Sequence, residues 1–138
     1  MSYKIISKFI KDISFEIPNI QAFTMLEKEI ANYALNFDIK SSTYKKNLII
    51  VDTLLKISPT QDVKHKILTE ITCTTLVSIE EHFKDKKELE KIILVKIPQE
   101  IYSTLYETFV YLFSQAGIKN IEIHKKVDFE KMYNERKK

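Results

Sequence analysis

The sequence predicts an α+β domain, with a four-stranded antiparallel sheet first and a long helix after it. Three observations lead to this prediction. Apolar and polar residues alternate with period two in several stretches up to Glu80, short polar connections separate these stretches, and helical spacing begins near Pro98. Strands joined in series by short connections favour an antiparallel meander or Greek key over crossover units. The 138 residues suffice for one domain with its own hydrophobic core.

The first strand is centred on the stretch KDISFEIPN, residues 11–19, and extends back to Tyr3. Its alternation places Asp12 and Glu16 on the polar face, where two carboxylates are displayed. Pro18 then ends the strand, because proline lacks a ladder donor. The opposite face is predicted to belong to the core and carries Ile5, Phe9, Ile13, Phe15 and Ile17.

Three further strands are predicted. The second begins at Leu35, and polar residues at 41–47 indicate a bend or bulge after it. The third covers residues 48–57 and ends at a Ser-Pro turn. The fourth covers residues 65–80, where alternating Thr and Ile favour a strand over a helix. Between the first two strands, residues 20–33 fit a short helix or a loop with apolar anchors.

Residues 98–117 predict a long helix, with Pro98 in its first turn and Gly117 as a left-handed cap. This helix is apolar on two faces, so we expect it to be buried on more than one side. One sheet covers one face, and the second face therefore predicts a homo-oligomer; scattered surface tyrosines are the alternative. The expected interface residues are Tyr102, Tyr106, Phe109 and Phe113.

The C-terminal segment, residues 125–138, predicts a short helix and a basic tail. Asp128 is a candidate N-cap, because apolar residues follow it at helical spacing. Before it, residues 121–123 alternate as in an extended segment. We interpret the basic residues of the tail as a solvated surface.

Composition excludes several classes of function. With 44% hydrophobic and 30% charged residues, and no apolar run near the roughly 20 residues of a membrane span, the chain is typical of a soluble globular protein without membrane insertion. The N-terminus does not resemble a signal peptide, and the single cysteine, Cys73, suits a reducing compartment, so we expect a cytoplasmic location. The single arginine, Arg136, argues against nucleic-acid binding.

No residue pattern supports catalysis or a cofactor. One glycine excludes a glycine-rich phosphate loop. Cys73 falls on the apolar face of its strand, and Asp12 and Glu16 lie on an open face where nothing would separate their pKa values. We therefore expect a protein that is not an enzyme and has no metal or cofactor. The histidines lack the spacing of metal ligands; they are His65, His82 and His124.

Several stretches resemble the SecB family of protein-export chaperones. The most specific is KDISFEIPN, which is similar to the family's opening strand. The others resemble its later strands, long helix and final helix in order: residues 35–42, ILTEI at 67–71, residues 98–117 and VDFEKMY at 127–133.

The resemblance implies an ATP-independent holdase that binds unfolded preproteins and delivers them to the SecA motor ATPase. It also implies a tetramer, a dimer of dimers in which the long helices, here residues 98–117, lie between two sheets. In the family, SecA docks on the outward sheet face, and the matching positions are Asp12, Glu16, Leu68 and Glu70. Clients bind along the crossover loop, here residues 18–34, and along the helices; the corresponding residues are Ile20, Phe23, Met25, Leu26, Phe129 and Tyr133.

Three departures from the family pattern bear on these expectations. Members of the family are usually acidic, whereas this chain has a net charge of +3. The family's loop tryptophan and its Gly-Gly pair are also absent. Two alternatives stay open at this point: a SecB-like chaperone dedicated to one client, such as an antitoxin, and a small-molecule-binding domain of similar shape.

Overall fold

The computed structural model describes residues 3–80, 85–119 and 126–136, and it has the predicted α+β architecture. A four-stranded sheet forms one layer, and helices cover one of its faces. The elements in chain order are β1 (Tyr3–Glu16), α1 (Ile20–Glu29), a 3₁₀ turn (Ile30–Asn32), β2 (Tyr33–Lys45), β3 (Leu48–Pro59), β4 (Leu68–Ile79), α2 (Lys86–Lys91), a π-helical turn (Ile92–Lys96), α3 (Ile97–Gln115) and α4 (Phe129–Arg136).

The sheet has the strand order β1-β4-β3-β2, and every neighbouring pair is antiparallel. Strands β2, β3 and β4 form a meander, and β1 lies beside β4, so the connection through α1 makes the sheet a Greek key. Between β2 and β3 the chain turns at Lys46 and Asn47, and Asn47 has a positive φ of 62°. Asparagine tolerates this left-handed conformation better than most residues do.

Strands β3 and β4 confirm the predicted alternation. Their inner residues pack against α3 and against the flanking helical turns. The buried inner side chains are Ile49, Val51, Thr53, Leu55, Ile57, Thr69, Ile71, Cys73, Thr75 and Val77.

Strand β1 departs from the predicted alternation. Its pairing with β4 shifts register between Ile5 and Ser7 and again between Ile10 and Asp12. At each shift β1 has one more residue than β4, and this extra residue reverses the faces of the β1 residues that follow it. Phe9 therefore points to the outer face and is 54% exposed, so the prediction that it lies in the core is wrong. Ile13 does share the inner register, but it is 45% exposed because β1 is an edge strand that the helices cover only in part.

The long helix begins and ends as predicted, to within a residue or two. Pro98 occupies its first turn, and Gly117, with φ 91°, follows its last turn. The Gly117 amide donates to the Ser114 carbonyl at 3.0 Å, and the Ile118 amide donates to the Phe113 carbonyl at 2.9 Å. This pair of hydrogen bonds is a Schellman motif, which needs a residue with a left-handed backbone such as glycine.

The aromatic face of α3 is covered within the chain itself. Phe109 and Phe113 are fully buried among residues of the sheet and α1, and Tyr102 packs on Phe129 of α4. Tyr102, Phe109 and Phe113, which we expected at an oligomer interface, are thus buried within the chain, Tyr102 under the short C-terminal helix and the two phenylalanines under the sheet and α1. The interface itself stays a prediction. Tyr106 is half-buried.

Helix α4 begins where the sequence predicts. The Asp128 carboxylate accepts a hydrogen bond from the Lys131 amide at 3.0 Å, which is an N-cap interaction. Three other expectations lie outside the described residues: the extended segment at 121–123, His82 and His124.

Candidate functional site

The outer face of the sheet, on the side away from the helices, brings together the four residues matched to the docking positions. In the pairing of β1 with β4, Glu16 lies opposite Leu68, and Glu70 lies between Asp12 and Glu16 along the strand direction. Leu68 is 42% exposed on this face. Alternation alone predicted their common face, and the register shows that they are neighbours.

Lysines lie among these acids. Lys56 Nζ is 3.7 Å from a Glu70 carboxylate oxygen, and Lys11 Nζ is 3.4 Å from Asp52. Asp52 also accepts a hydrogen bond of 2.7 Å from the hydroxyl of Thr74. The sequence analysis missed these pairs, because they depend on the register between strands, and Lys11 points to this face only as part of a bulge.

An open depression of about 370 Å³ lies on the same face. Three aspartates and two lysines line it, so its surface is polar and its net charge is small. The residues that line it are Lys11, Asp12, Asp38, Lys40, Asp52, Leu54 and Thr72.

Helix α1 presents the four expected client-binding residues unequally. Ile20, just after the Asn19 cap, is 67% exposed. Phe23 and Met25 are half-buried, and the Phe23 ring lies against the backbone at Gly117. Leu26 is buried in the core, so the structure does not present it to a client.

On the inner side of the sheet, α4 borders an apolar groove of about 480 Å³. Phe129 and Tyr133, the two expected client residues from this helix, are buried and form its floor. Met132 is 38% exposed at the rim. The full lining is Phe37, Ile39, Leu94, Phe129, Met132, Tyr133 and Glu135.

Three aromatic rings pack together at the floor of this groove. The rings of Phe37 and Phe129 are 4.9 Å apart, and Tyr102 packs on both rings in edge-to-face geometry. Such geometry is favourable for aromatic pairs. Among the lining residues, Phe37 and Ile39 were missed, although the inward alternation of β2 was the signal that could have identified them.

Other chemistry has little support in the described part of the chain. Within it, no group of three or more His, Cys, Asp or Glu side chains could hold a metal ion. Cys73 is fully buried, and this burial raises the pKa of its thiol, which disfavours the reactive thiolate. None of the described helices is long and apolar enough to cross a membrane.

The whole chain, residues 1–138, matches the sequence model of the family described as preprotein translocase subunit SecB. The chain belongs to the SecB family. It is also 40% identical, over 135 residues, to a putative protein-export protein SecB from Pelagibacter ubique (strain HTCC1062), and the match covers 98% of this chain and 96% of that protein. The resemblance identified from the sequence is thus confirmed.

Solved structures confirm the SecB-like fold. A SecB-like chaperone of Mycobacterium tuberculosis, in complex with a peptide from an antitoxin, superposes with a TM-score of 0.63 at 13% identity, over 88% of this chain and 90% of that one. A protein of unknown function from Streptococcus agalactiae gives a TM-score of 0.54 at 10% identity, over 89% and 98%. At these identities the likeness concerns the fold, whereas membership of the SecB family supports a chaperone role in protein export.

Proposed function

We propose that this SecB-family chain is a cytoplasmic holdase that binds unfolded preproteins without ATP and delivers them to the SecA motor. One observation carries the proposal: the two faces of the sheet present surfaces of opposite chemistry. The outer face displays Asp12, Glu16 and Glu70 around Leu68, and the inner side has an apolar groove. A carrier needs two such sites, one for its cargo and one for the receiving motor.

The groove suits an unfolded client. Its open shape admits an extended chain, and its methionine and aromatic lining accepts apolar segments of many sequences at modest affinity. The exposed Ile20 side chain on α1 offers a second apolar contact. We infer that Met132 at the rim contacts clients directly, whereas Phe129 and Tyr133 shape the floor.

The outer face suits a cationic partner. Asp12 and Glu16 are exposed, and within the described residues neither carboxylate has a salt bridge to a lysine. Leu68, opposite Glu16 on the neighbouring strand, adds an exposed apolar contact. Charge complementarity of this kind raises association rates and selects partners more than it raises affinity.

We also propose that the chain assembles as a dimer of dimers. Helix α3 retains an exposed surface with Val110 and Tyr111, and Tyr111 is a large aromatic side chain in contact with solvent. Of the four residues first assigned to an interface, Tyr106 is the one with partial exposure. Native mass spectrometry should give four times the chain mass of 16.3 kDa, and a monomer would contradict this proposal.

Client holding is tested by adding a charge to the groove rim. Met132→Asp should reduce the suppression of aggregation of an unfolded preprotein several-fold, because a carboxylate in an apolar site is costly to desolvate. Asn134→Asp adds the same charge to the same helix outside the groove and is the control. Equal activity of the two variants would contradict client binding in the groove.

SecA docking is tested by the double change Asp12→Lys and Glu16→Lys. Binding of SecA should be lost, while client holding is retained, because the two activities use opposite faces. The control is Asp62→Lys with Glu90→Lys, which changes the net charge equally at two exposed positions elsewhere. Loss of both activities in the test variant, or loss of SecA binding in the control, would refute separate faces.

A further inference from the structure

On the outer face of the sheet, some carboxylates have a lysine within salt-bridge distance and others do not. Five carboxylates lie on this face by strand register, and three of its lysines, Lys11, Lys40 and Lys56, are each within 4.0 Å of one carboxylate. Among the described residues, the carboxylates left without a lysine are those of Asp12 and Glu16, both on β1. The lysine-paired acids are Asp38, Asp52 and Glu70.

Lys56 holds a special position in this arrangement. It lies directly opposite Glu70 in the pairing of β3 with β4, so their side chains are adjacent on the outer face. Glu70 in turn lies opposite Ser14, between Asp12 and Glu16. Lys56 is therefore the lysine paired to the central acid of the candidate docking site, whereas Lys11 and Lys40 are paired to acids outside it.

We infer that Lys56 weakens docking on the outer face, because its ammonium group competes with the partner for the Glu70 carboxylate. The partner is a lysine- or arginine-bearing segment of SecA, and the inference rests on the docking proposed above. Such a segment binds Asp12 and Glu16 directly, but at Glu70 it has to displace an ammonium group that is already 3.7 Å away. Lys56 thus lowers the affinity of the chain for SecA.

The expected effect is small but measurable. Lys56 and Glu70 are about half-exposed, and ion pairs of this kind are worth at most about 1 kcal/mol. Removing the competitor should therefore tighten SecA binding by roughly three- to fivefold. The gain should shrink with added salt, because exposed charges are screened.

The test is a double-mutant cycle on the full-length chain, read as the Kd for purified SecA at low salt. Lys56→Gln should bind SecA roughly three- to fivefold more tightly than the wild type. In a Glu70→Gln background the same change should give no more gain than Lys40→Gln does, because the competed carboxylate is gone. Lys40→Gln removes the same charge from the same face, beside Asp38, and should give a smaller gain.

Each outcome separates this inference from the proposed function. If the wild type binds SecA but Lys56→Gln does not improve binding, or improves it no more than Lys40→Gln does, the inference is overturned and docking stands. A gain from Lys56→Gln that is equally large in the Glu70→Gln background also overturns it. If neither the wild type nor any variant binds SecA, the proposed docking fails, and the inference fails with it. All these positions are exposed or half-exposed, and a thermal melt verifies that each variant is folded.

Discussion

The two faces of strand β2 contribute to two surfaces, an apolar groove on the inner side and a polar depression on the outer side. Phe37 and Ile39 point inward and line the groove, whereas Asp38 and Lys40, one residue away from each, line the outer depression. On the inner face, Phe37 packs on the rings of Tyr102 and Phe129, and Ile39 packs against an aliphatic core cluster. On the outer face, Asp38 and Lys40 form an exposed ion pair with a distance of 4.0 Å. Stability therefore comes from the inner face, and the outer face is free to specify a partner at little cost in stability.

Among the variants that test this contrast, Phe129→Ala should have the largest effect on stability. Phe129 is 1% exposed and contacts both Phe37 and Tyr102, so the change should lower the free energy of unfolding by about 3–5 kcal/mol. Met132→Ala, on the same helix but at the rim, should cost less than half as much. Urea unfolding at neutral pH measures both, and similar losses would show that α4 is not packed as described.

The inner face should also determine the response to alkaline pH. Burial and the neighbouring Tyr106 raise the pKa of Tyr102 from 10.0 to about 12. A raised pKa means that the folded state holds its proton more strongly, so this stability is complete below pH 10 and is lost as pH rises through 12. The loss is about 2–3 kcal/mol.

Tyr102→Phe should remove about half of the decline in stability that shifted tyrosines cause between pH 10 and pH 12. Part of the decline should remain, because burial and a hydrogen bond to Glu100 also raise the pKa of Tyr3 to about 12. Chemical denaturation at a series of pH values gives the slope, which is compared between the two proteins. An unchanged slope would contradict the role of Tyr102.

Two threonines on opposite faces form a matched pair. Thr74 donates to Asp52 on the outer face, whereas the hydroxyl of Thr53 is buried on the inner face without a hydrogen-bond partner among the described residues. Thr74→Val should therefore destabilise by about 1 kcal/mol, and Thr53→Val should be neutral or stabilising by about the same amount. Thermal melts give the signs, and equal signs would contradict the assignment of the two hydroxyl groups.

The smallest expected effect is that of Lys40→Gln. Its ion pair with Asp38 is strongly exposed, so the free energy of unfolding should change by less than about 0.5 kcal/mol. A larger change would show that the outer face contributes to stability and would weaken the contrast between the two faces.

Patterns in the sequence predicted the elements that depend on neighbouring residues. Period-two alternation placed the inner residues of β3 and β4 correctly, and Gly117 and Asp128 marked the ends of α3 and α4. These features follow from local backbone geometry and capping, which need no knowledge of distant residues. The four matched docking positions share a face for the same reason.

The predictions that failed concern features that depend on contacts between distant segments of the chain. Nothing in the local sequence of β1 shows where the pairing with β4 shifts, so Phe9 was placed on the wrong face. The covering of Tyr102 by α4 joins residues 27 positions apart in the chain, and an apolar face alone does not tell a partner molecule from another part of the same chain. The pairing of Lys56 with Glu70 likewise depends on the register between β3 and β4, which the local sequence does not show.

Because Cys73 is buried, the rate at which its thiol reacts with a labelling reagent reports how often the core opens. Its thiol lies at the centre of the sheet, so a labelling reagent reaches it only when the strands separate from α3 or the domain unfolds. The rate of labelling in native buffer therefore measures how often this layer opens. A chaperone that holds its clients by surface contacts alone should label at the same slow rate with and without cargo, whereas faster labelling with cargo would reveal that the carrier itself loosens to take up a client.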